Sequence, residues 1–390
     1  MAANRTRGRT APDGRLIRNT TIKVRLHPEP AQAELIEKTF GCCRYIWNHI
    51  LADQEEFYAA ADVHFLPTPA KYKKEAPFLK EVDSQALATV HQQLRQAFQN
   101  FFRNPQAFHH PVYKTKKQNR NSYTIYRSTQ AATLYLTPKG IRFPKLGEVR
   151  ATLYRKPLHW WTLKSATVSR SKTGKYFASL VYEYTVKQPP AVIPVRERTV
   201  GLNLSLTHFY VDSDGRRADP PRRMKQSVEK LEELQRRLSG MEYGSQNYQK
   251  QLRKLQFLHE RIANQRKDFI HKESRRIANE WDAVCVSDTD LRKTARNLKL
   301  ISVMELGFGF FRLCLEYKLE QQGKAYITVE RFYPSARTCH DCGHIHEGLT
   351  LRERRWRCPG CGRIVSREIN ASRNLRDAGL AQFYHKKTIA

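Results

Sequence analysis

The chain is 390 residues long, 40% hydrophobic and 11% aromatic, with 69 Lys and Arg against 37 Asp and Glu, a formal net charge of +32. That length allows roughly two to four domains with real cores, and the apolar content excludes a disordered chain. A charge excess of this size self-repels in a compact state unless a polyanion neutralises it; nucleic acid is the expected partner, and no apolar run approaches the ~20 residues that would span a bilayer.

Residues 1–16 read as a disordered basic arm without the apolar core of a signal peptide. Thr21 to Leu26 alternates polar and apolar as a half-buried strand does, and Pro28 and Pro30 close it. From Ala31 to Ala61 apolar residues recur at helical spacing (Leu35, Ile36, Phe40, Cys43, Ile46, Trp47, Ile50, Leu51). A second helix runs from Asp83 or Ser84, either a plausible N-cap, to about Phe102. Residues 108–190 are rich in Tyr, Thr, Val and Arg with turn signals, the pattern of a β-barrel or open sheet that the N-terminal strand completes.

The remainder reads as α/β. A strand spans Thr199 to Val211, and two amphipathic helices punctuated by Gly240 and Gly244 form a hairpin. A buried strand follows at 283–286, then a helix at 300–322, a strand at 326–330, a cysteine segment and a last helix at 368–378.

Cys339 and Cys342 form one C-x-x-C pair, Cys358 and Cys361 another, with fifteen residues between them. That spacing brings four thiolates to one tetrahedral point and predicts a structural zinc ribbon, since four Cys ligands leave no open catalytic position. Gly343 and Gly362 follow the pairs and suit the turn that each knuckle needs. Cys42, Cys43, Cys285 and Cys314 read as buried thiols, and the overall usage is cytosolic.

The segment "RTCHDCGHIHEGLTLRERRWRCPGCGRIVSREINASRNL" resembles the C-terminal ribbon and final nuclease motif of the TnpB family, transposon-encoded relatives of the type V CRISPR effectors. "KTFGCCRYIWNHIL", "FLKEVDSQAL", "YKTKKQNRNSYT" and "HERIANQRKDFIHKESRRI" resemble further segments of that family, in order, from about residue 20 to 380. The resemblance implies a multidomain α/β protein. A helical recognition domain (31–107) and a β-barrel wedge domain (17–30 and 108–192) precede a RuvC-like, RNase H-type domain (195–335 and 364–382). That domain carries a helical hairpin (222–280) and the zinc ribbon (336–363). It also implies a guide RNA, a target double-stranded DNA with a short adjacent motif, a monomer in a ribonucleoprotein, and a place in the bacterial cytosol or nucleoid.

Active members of that family hold two Mg²⁺ ions with three carboxylates, and all three positions depart here. Asn203 stands where the first strand has Asp, Ser287 where the second has Glu, and Glu368 where the last motif has Asp. Two divalent ions ~3.5–4 Å apart need several formal negative charges to stay together. Asn203 and Ser287 supply none, and Glu368 is one methylene too long for a precise site. Asp288 is expected on the opposite face of its strand, and Asp212 and Asp214 across a turn from the site. The expectation is a nuclease-dead protein that binds no catalytic Mg and represses transcription by occupying a promoter. The alternatives are a weak RNA-guided endonuclease with a rebuilt metal site, and a guide-free zinc-ribbon DNA-binding transposition accessory.

Candidate nucleic-acid contacts are Asn48 on the first helix, Ser84 and Gln85 at the start of the second, and Tyr113, Lys114, Lys116, Lys117, Asn119, Arg120, Asn121 and Tyr123 in the basic, amide-rich and aromatic stretch that follows. Cations grip phosphates, amides pair with base edges and rings stack on bases. Trp356 is expected to pack beneath the ribbon rather than to stack on a base.

Overall fold

The structure, a computed structural model, describes residues 9–62, 64–117, 121–127, 133–205, 208–288, 307–350 and 353–389. The chain divides into two compact units, residues 1–187 and 188–390.

In the first unit the alternation at 21–26 extends into a long strand. Strand β1 (Arg9–Thr10) pairs antiparallel with β2 (Leu16–His27). Residues 9–16, expected in a disordered arm, therefore fold as a hairpin, and Gly14 takes the positive φ (77°) that its turn requires. Ile22, Val24 and Leu26 are buried while Lys23 is exposed. Helix α1 (Pro30–Ala61) starts at Glu29, which forms a capping box with Gln32. Pro30 does not merely end the strand; it opens the helix, where its missing N–H is no loss. Helix α2 (Ser84–Arg103) is capped by Asp83, whose Oδ1 accepts from the Gln85 N–H at 2.9 Å.

Six further strands follow: β3 (Ser122–Tyr126), β4 (Tyr135–Leu136), β5 (Gly140–Phe143), β6 (Gly147–Thr152), β7 (Thr162–Arg170) and β8 (Tyr176–Val186). They form one sheet in the order β3-β7-β8-β2-β6-β5-β4, with β1 on β2. Among the described residues the end strands β3 and β4 are not paired with each other, so the sheet is curled rather than closed. One core joins the sheet (Ile22, Val24, Val168) to the helices (Ile46, Leu87, Phe98), so helices and sheet fold as one body.

In the second unit, the run expected as one strand from 199 to 211 is two antiparallel neighbours, β9 (Thr199–Leu204) and β10 (Tyr210–Asp212). Strand β11 (Arg217–Ala218) pairs with β10. Helices α3 (Arg222–Ser239) and α4 (Gln246–Glu280) form the expected hairpin, zipped by Leu231, Leu234, Leu255, Leu258 and Ile262. Strand β12 (Ala283–Ser287), helix α5 (Phe308–Glu320) and strand β13 (Ala325–Val329) follow. The helix expected at 300–322 is thus described from 308 onward; 300–306 lie outside the described residues. The ribbon strands are β14 (Arg355–Arg357) and β15 (Ile364–Ser366), and α6 (Arg367–Ile389) ends the chain.

The sheet order is β11-β10-β9-β12-β13, antiparallel across the first three strands and parallel across the last three, the arrangement of an RNase H-type, RuvC-like domain. Its two faces are distinct. Val200, Leu202, Val284 and Val286 pack against Ile270 and Ile277 of α4 and Phe311 and Leu315 of α5. Ala283, Cys285, Ile327 and Val329 pack against Leu375 of α6. Helix α6 reaches the sheet because Gly201 has no side chain: a Cβ there would lie 1.9 Å from the Ser372 carbonyl oxygen.

Candidate functional site

Strand alternation decides what gathers at the end of this sheet. Gly201 and Cys285 face α6, so Asn203 and Ser287, two residues further along β9 and β12, face the same side. They lie beside one another, one step beyond the registered pair Leu202–Val286. Glu368 comes to this corner from the first turn of α6. Its Oε1 accepts a hydrogen bond from the Ser205 hydroxyl at 2.8 Å and lies 3.4 Å from Nη1 of Arg354, the residue before β14. The Glu368 side chain is 13% exposed and that of Arg354 57%. From the opposite face, Arg312 of α5 donates to the Ser287 carbonyl at 2.7 Å. Asn203 and Ser287 thus lie side by side, and Glu368 reaches Ser205, two residues past Asn203, while Arg354 pairs with Glu368 and Arg312 with the Ser287 backbone. Ser205, Arg312 and Arg354 carried no signal for this role, because their partners are distant in sequence.

The neighbouring acids lie where expected. Asp288 alternates to the α5 side, where its charge helps to raise the Tyr326 phenol, a group held up chiefly by burial. Asp212 is paired in register with Leu202. Its Oδ1 accepts from the Asp214 and Arg216 N–H groups and so closes the turn after β10. Burial pushes its carboxyl up despite those bonds.

In the ribbon, the four Cys sulfurs lie within 4.8 Å of one another, with Cys339 and Cys361 at 3.8 Å and Cys342 and Cys358 at 3.5 Å. Four sulfurs each ~2.3 Å from a tetrahedral ion stand at about these separations, so the donor set fits a structural metal. The knuckles share one geometry. Gly343 N–H donates to the Cys339 carbonyl and Gly362 N–H to the Cys358 carbonyl, and both glycines have positive φ (77° and 70°). Trp356 packs beneath them at 5% exposure with Leu349 and Val365, as expected.

Helix α6 holds the ribbon. The side-chain amides of Asn370 and Asn374, one turn apart, each donate to the carbonyls of Ser335 and Thr338. The His340 N–H donates to Asn370 Oδ1, and its ring reaches Asp377 at 2.8 Å. Burial would raise the Asp377 carboxyl, but bonds from Arg376, Arg196 and His340 outweigh it and hold the group well below the usual carboxylate range.

The first unit distributes its candidate contacts unevenly. Lys116, Lys117 and Ser84 are exposed, and Tyr113 is 47% exposed with its hydroxyl on Glu55 at 2.6 Å. Asn48 is engaged internally: its amide donates to the Lys114 carbonyl at 3.0 Å and accepts from the Lys114 N–H at 2.8 Å. Lys114 turns its ammonium onto the Trp47 ring at 3.2 Å, and burial lowers it to about 8. Tyr123 is a correction, because its ring is buried at 4% exposure against Phe40 and is not open to stack on a base. Gln85 Oε1, Asn121 Oδ1 and the Tyr123 hydroxyl are buried without a hydrogen-bond partner among the described residues. Asn121 and Tyr123 line a polar cavity of about 60 Å³ with Arg44, Gln93 and Lys114. Asn119 and Arg120 lie outside the described residues.

Residues 179–298 match a family described as a probable transposase, and residues 308–375 one described as a Cas12f1-like TNB domain. Residues 18–62 match a family described as a helix-turn-helix domain, although here they form β2 and the single helix α1. A Streptomyces pristinaespiralis protein named "Putative RNA-guided DNA endonuclease" is 31% identical, over 92% of this chain and 89% of its own length. An Escherichia coli K12 protein named "Putative RNA-guided DNA endonuclease InsQ" is 30% identical, over 92% of each chain. Among solved structures, Cas12f1 in a complex with sgRNA and target DNA superposes with a TM-score of 0.56 at 12% identity, over 93% of this chain and 99% of that one, a likeness of fold alone.

Proposed function

Because the chain belongs to the TnpB/IS605 transposase family, to which the Cas12f1-like RNA-guided endonucleases are related, we propose that it is an RNA-guided, double-stranded-DNA-binding protein that does not cut and that represses transcription by occupying its target. The observation that carries this reading is the set of side chains at the sheet corner. Asn203 and Ser287 bring no formal charge there, and Glu368, the carboxylate that reaches the corner among the described residues, already accepts from Ser205 and pairs with Arg354. A magnesium pair needs several anionic ligands, and a guanidinium beside Glu368 opposes it further. Zinc held by the four cysteines is a structural ion in this reading, with no part in chemistry. The charge of +32 supplies the grip on guide RNA and target DNA.

The alternative, a weak endonuclease with a rebuilt site, rests on the charge that Glu368 retains. The experiment is to purify the protein from its host, sequence the RNA bound to it and supply the matching duplex with Mg²⁺ or Mn²⁺. The expected result is a protected footprint on an intact strand. A guide-dependent cut would favour the alternative, and tight duplex binding after complete RNase treatment would remove the RNA from the account.

A further inference from the structure

The loop between β6 and β7 leaves aromatic rings in solvent. Tyr154 is 78% exposed and Trp160 54%. Beneath them the Arg155 guanidinium lies 5.0 Å from the centre of the Trp161 ring, which is stacked on Tyr184 of β8 at 4.9 Å and 20°. These two contacts hold the Trp161 ring at the base of the loop, between the Arg155 cation and Tyr184. The His159 ring stands edge-on to Trp160 at 4.6 Å and 89° and limits its rotamers. Lys156 is exposed, and no acidic residue occurs from 153 to 161.

Outward rings on a loop that carries cations and no carboxylate of its own, with the neighbouring Glu183 paired to Lys164, match the chemistry of unpaired nucleobases. The π-faces take the bases and the cations take the phosphates that link them. We propose that this loop is a stacking site for unpaired bases of the bound RNA. RNA is favoured over DNA because folded RNA presents unstacked bases in its loops and bulges at all times, whereas duplex DNA must first be opened. The site rests on the RNA-guided reading above and adds to it a location and a mode of contact.

The test uses the full-length protein freed of its own RNA, with the single strands rU12 and dT12 as probes. Ultraviolet cross-linking of rU12 is expected to map to the peptide carrying Tyr154 and Trp160. The double variant Tyr154→Ala/Trp160→Ala is expected to bind rU12 about tenfold more weakly or worse, whereas Trp160→Phe, which keeps a ring, stays near the parent. Because the replaced side chains are exposed, the circular dichroism spectrum and Tm should not change. Cross-links that map elsewhere, or parental affinity in the double variant, overturn the site. An equal loss for dT12 overturns the assignment to RNA. Absence of any RNA from the protein as isolated would instead defeat the guided reading itself.

Discussion

The Ser205 hydroxyl donates to Oε1 of Glu368 at 2.8 Å. That contact joins the residue after β9 to the first turn of α6. Arg354 lies 3.4 Å from the same oxygen.

Restoring the acids should therefore need all three changes. Asn203→Asp with Ser287→Glu leaves Glu368 tied to Ser205 and Arg354, and cutting of a guided duplex should stay below detection. Adding Glu368→Asp shortens that side chain away from Arg354. The triple variant is expected to gain Mn²⁺-dependent cutting by about 10³-fold over the parent, since bound metal contributes several kcal/mol to such a reaction. A gel assay with end-labelled DNA reads the result, and an inactive triple variant would mean that more than the ligands has changed.

Gly201→Ala places a Cβ 1.9 Å from the Ser372 carbonyl oxygen and 2.7 Å from the Arg376 nitrogen. Both are backbone atoms of α6 and cannot rotate aside, so the helix must lift from the sheet. The expected loss is about 3 kcal/mol or more, at the upper end of overpacking. Urea denaturation measures it, and a loss below about 1 kcal/mol would mean that α6 is not seated as described.

Replacing any one of the four cysteines by serine should remove close to one equivalent of zinc per chain, read by metal analysis of the purified protein. Hydrogen exchange should then rise through residues 337–366, while the curled sheet of the first unit keeps its protection. Unchanged zinc content in Cys342→Ser would show that the cluster holds no ion through that sulfur.

Asp377 gives the fold a defined response to acid. Its carboxyl is depressed in the folded state, so its contribution is present above the ordinary carboxylate value near 4 and is lost as pH falls through the folded value. Asp377→Asn should lower stability at pH 7, and the gap to the parent should begin to narrow as pH falls below about 4. The side chain is 37% exposed, and solvent screening limits each of its ion pairs to about 0.2–1 kcal/mol. Paired denaturation curves from pH 7 to pH 3 check it, and a constant gap would refute it.

Local patterns were readable where local physics decides. The alternation at 21–26, the helical spacing from 31 to 61 and the cysteine spacing all reappear in the structure because each is set by neighbours along the chain. The family resemblance singled out 203, 287 and 368; parallel pairing of β9 with β12 sets the first two side by side, and Glu368 arrives from α6 on Ser205. What stayed hidden depends on tertiary partners. Nothing in the stretch 199–211 marks its reversal into two strands. Tyr123 looked like a stacking residue beside basic neighbours, yet strand alternation turns it into the core. Asn48 looked like a base reader, and only the fold brings the backbone of Lys114 to its amide.

Asn370 and Asn374 are 4% and 5% exposed, and their amides end on carbonyls that lead into the first knuckle. This makes the second unit asymmetric under mutation. Positions 203 and 287 can drift without touching either asparagine, whereas collapse of the thiolate cage would strand two buried amides and loosen the helix start that carries Glu368. Damage to the cysteines would thus be felt at the start of α6 as well as in the ribbon.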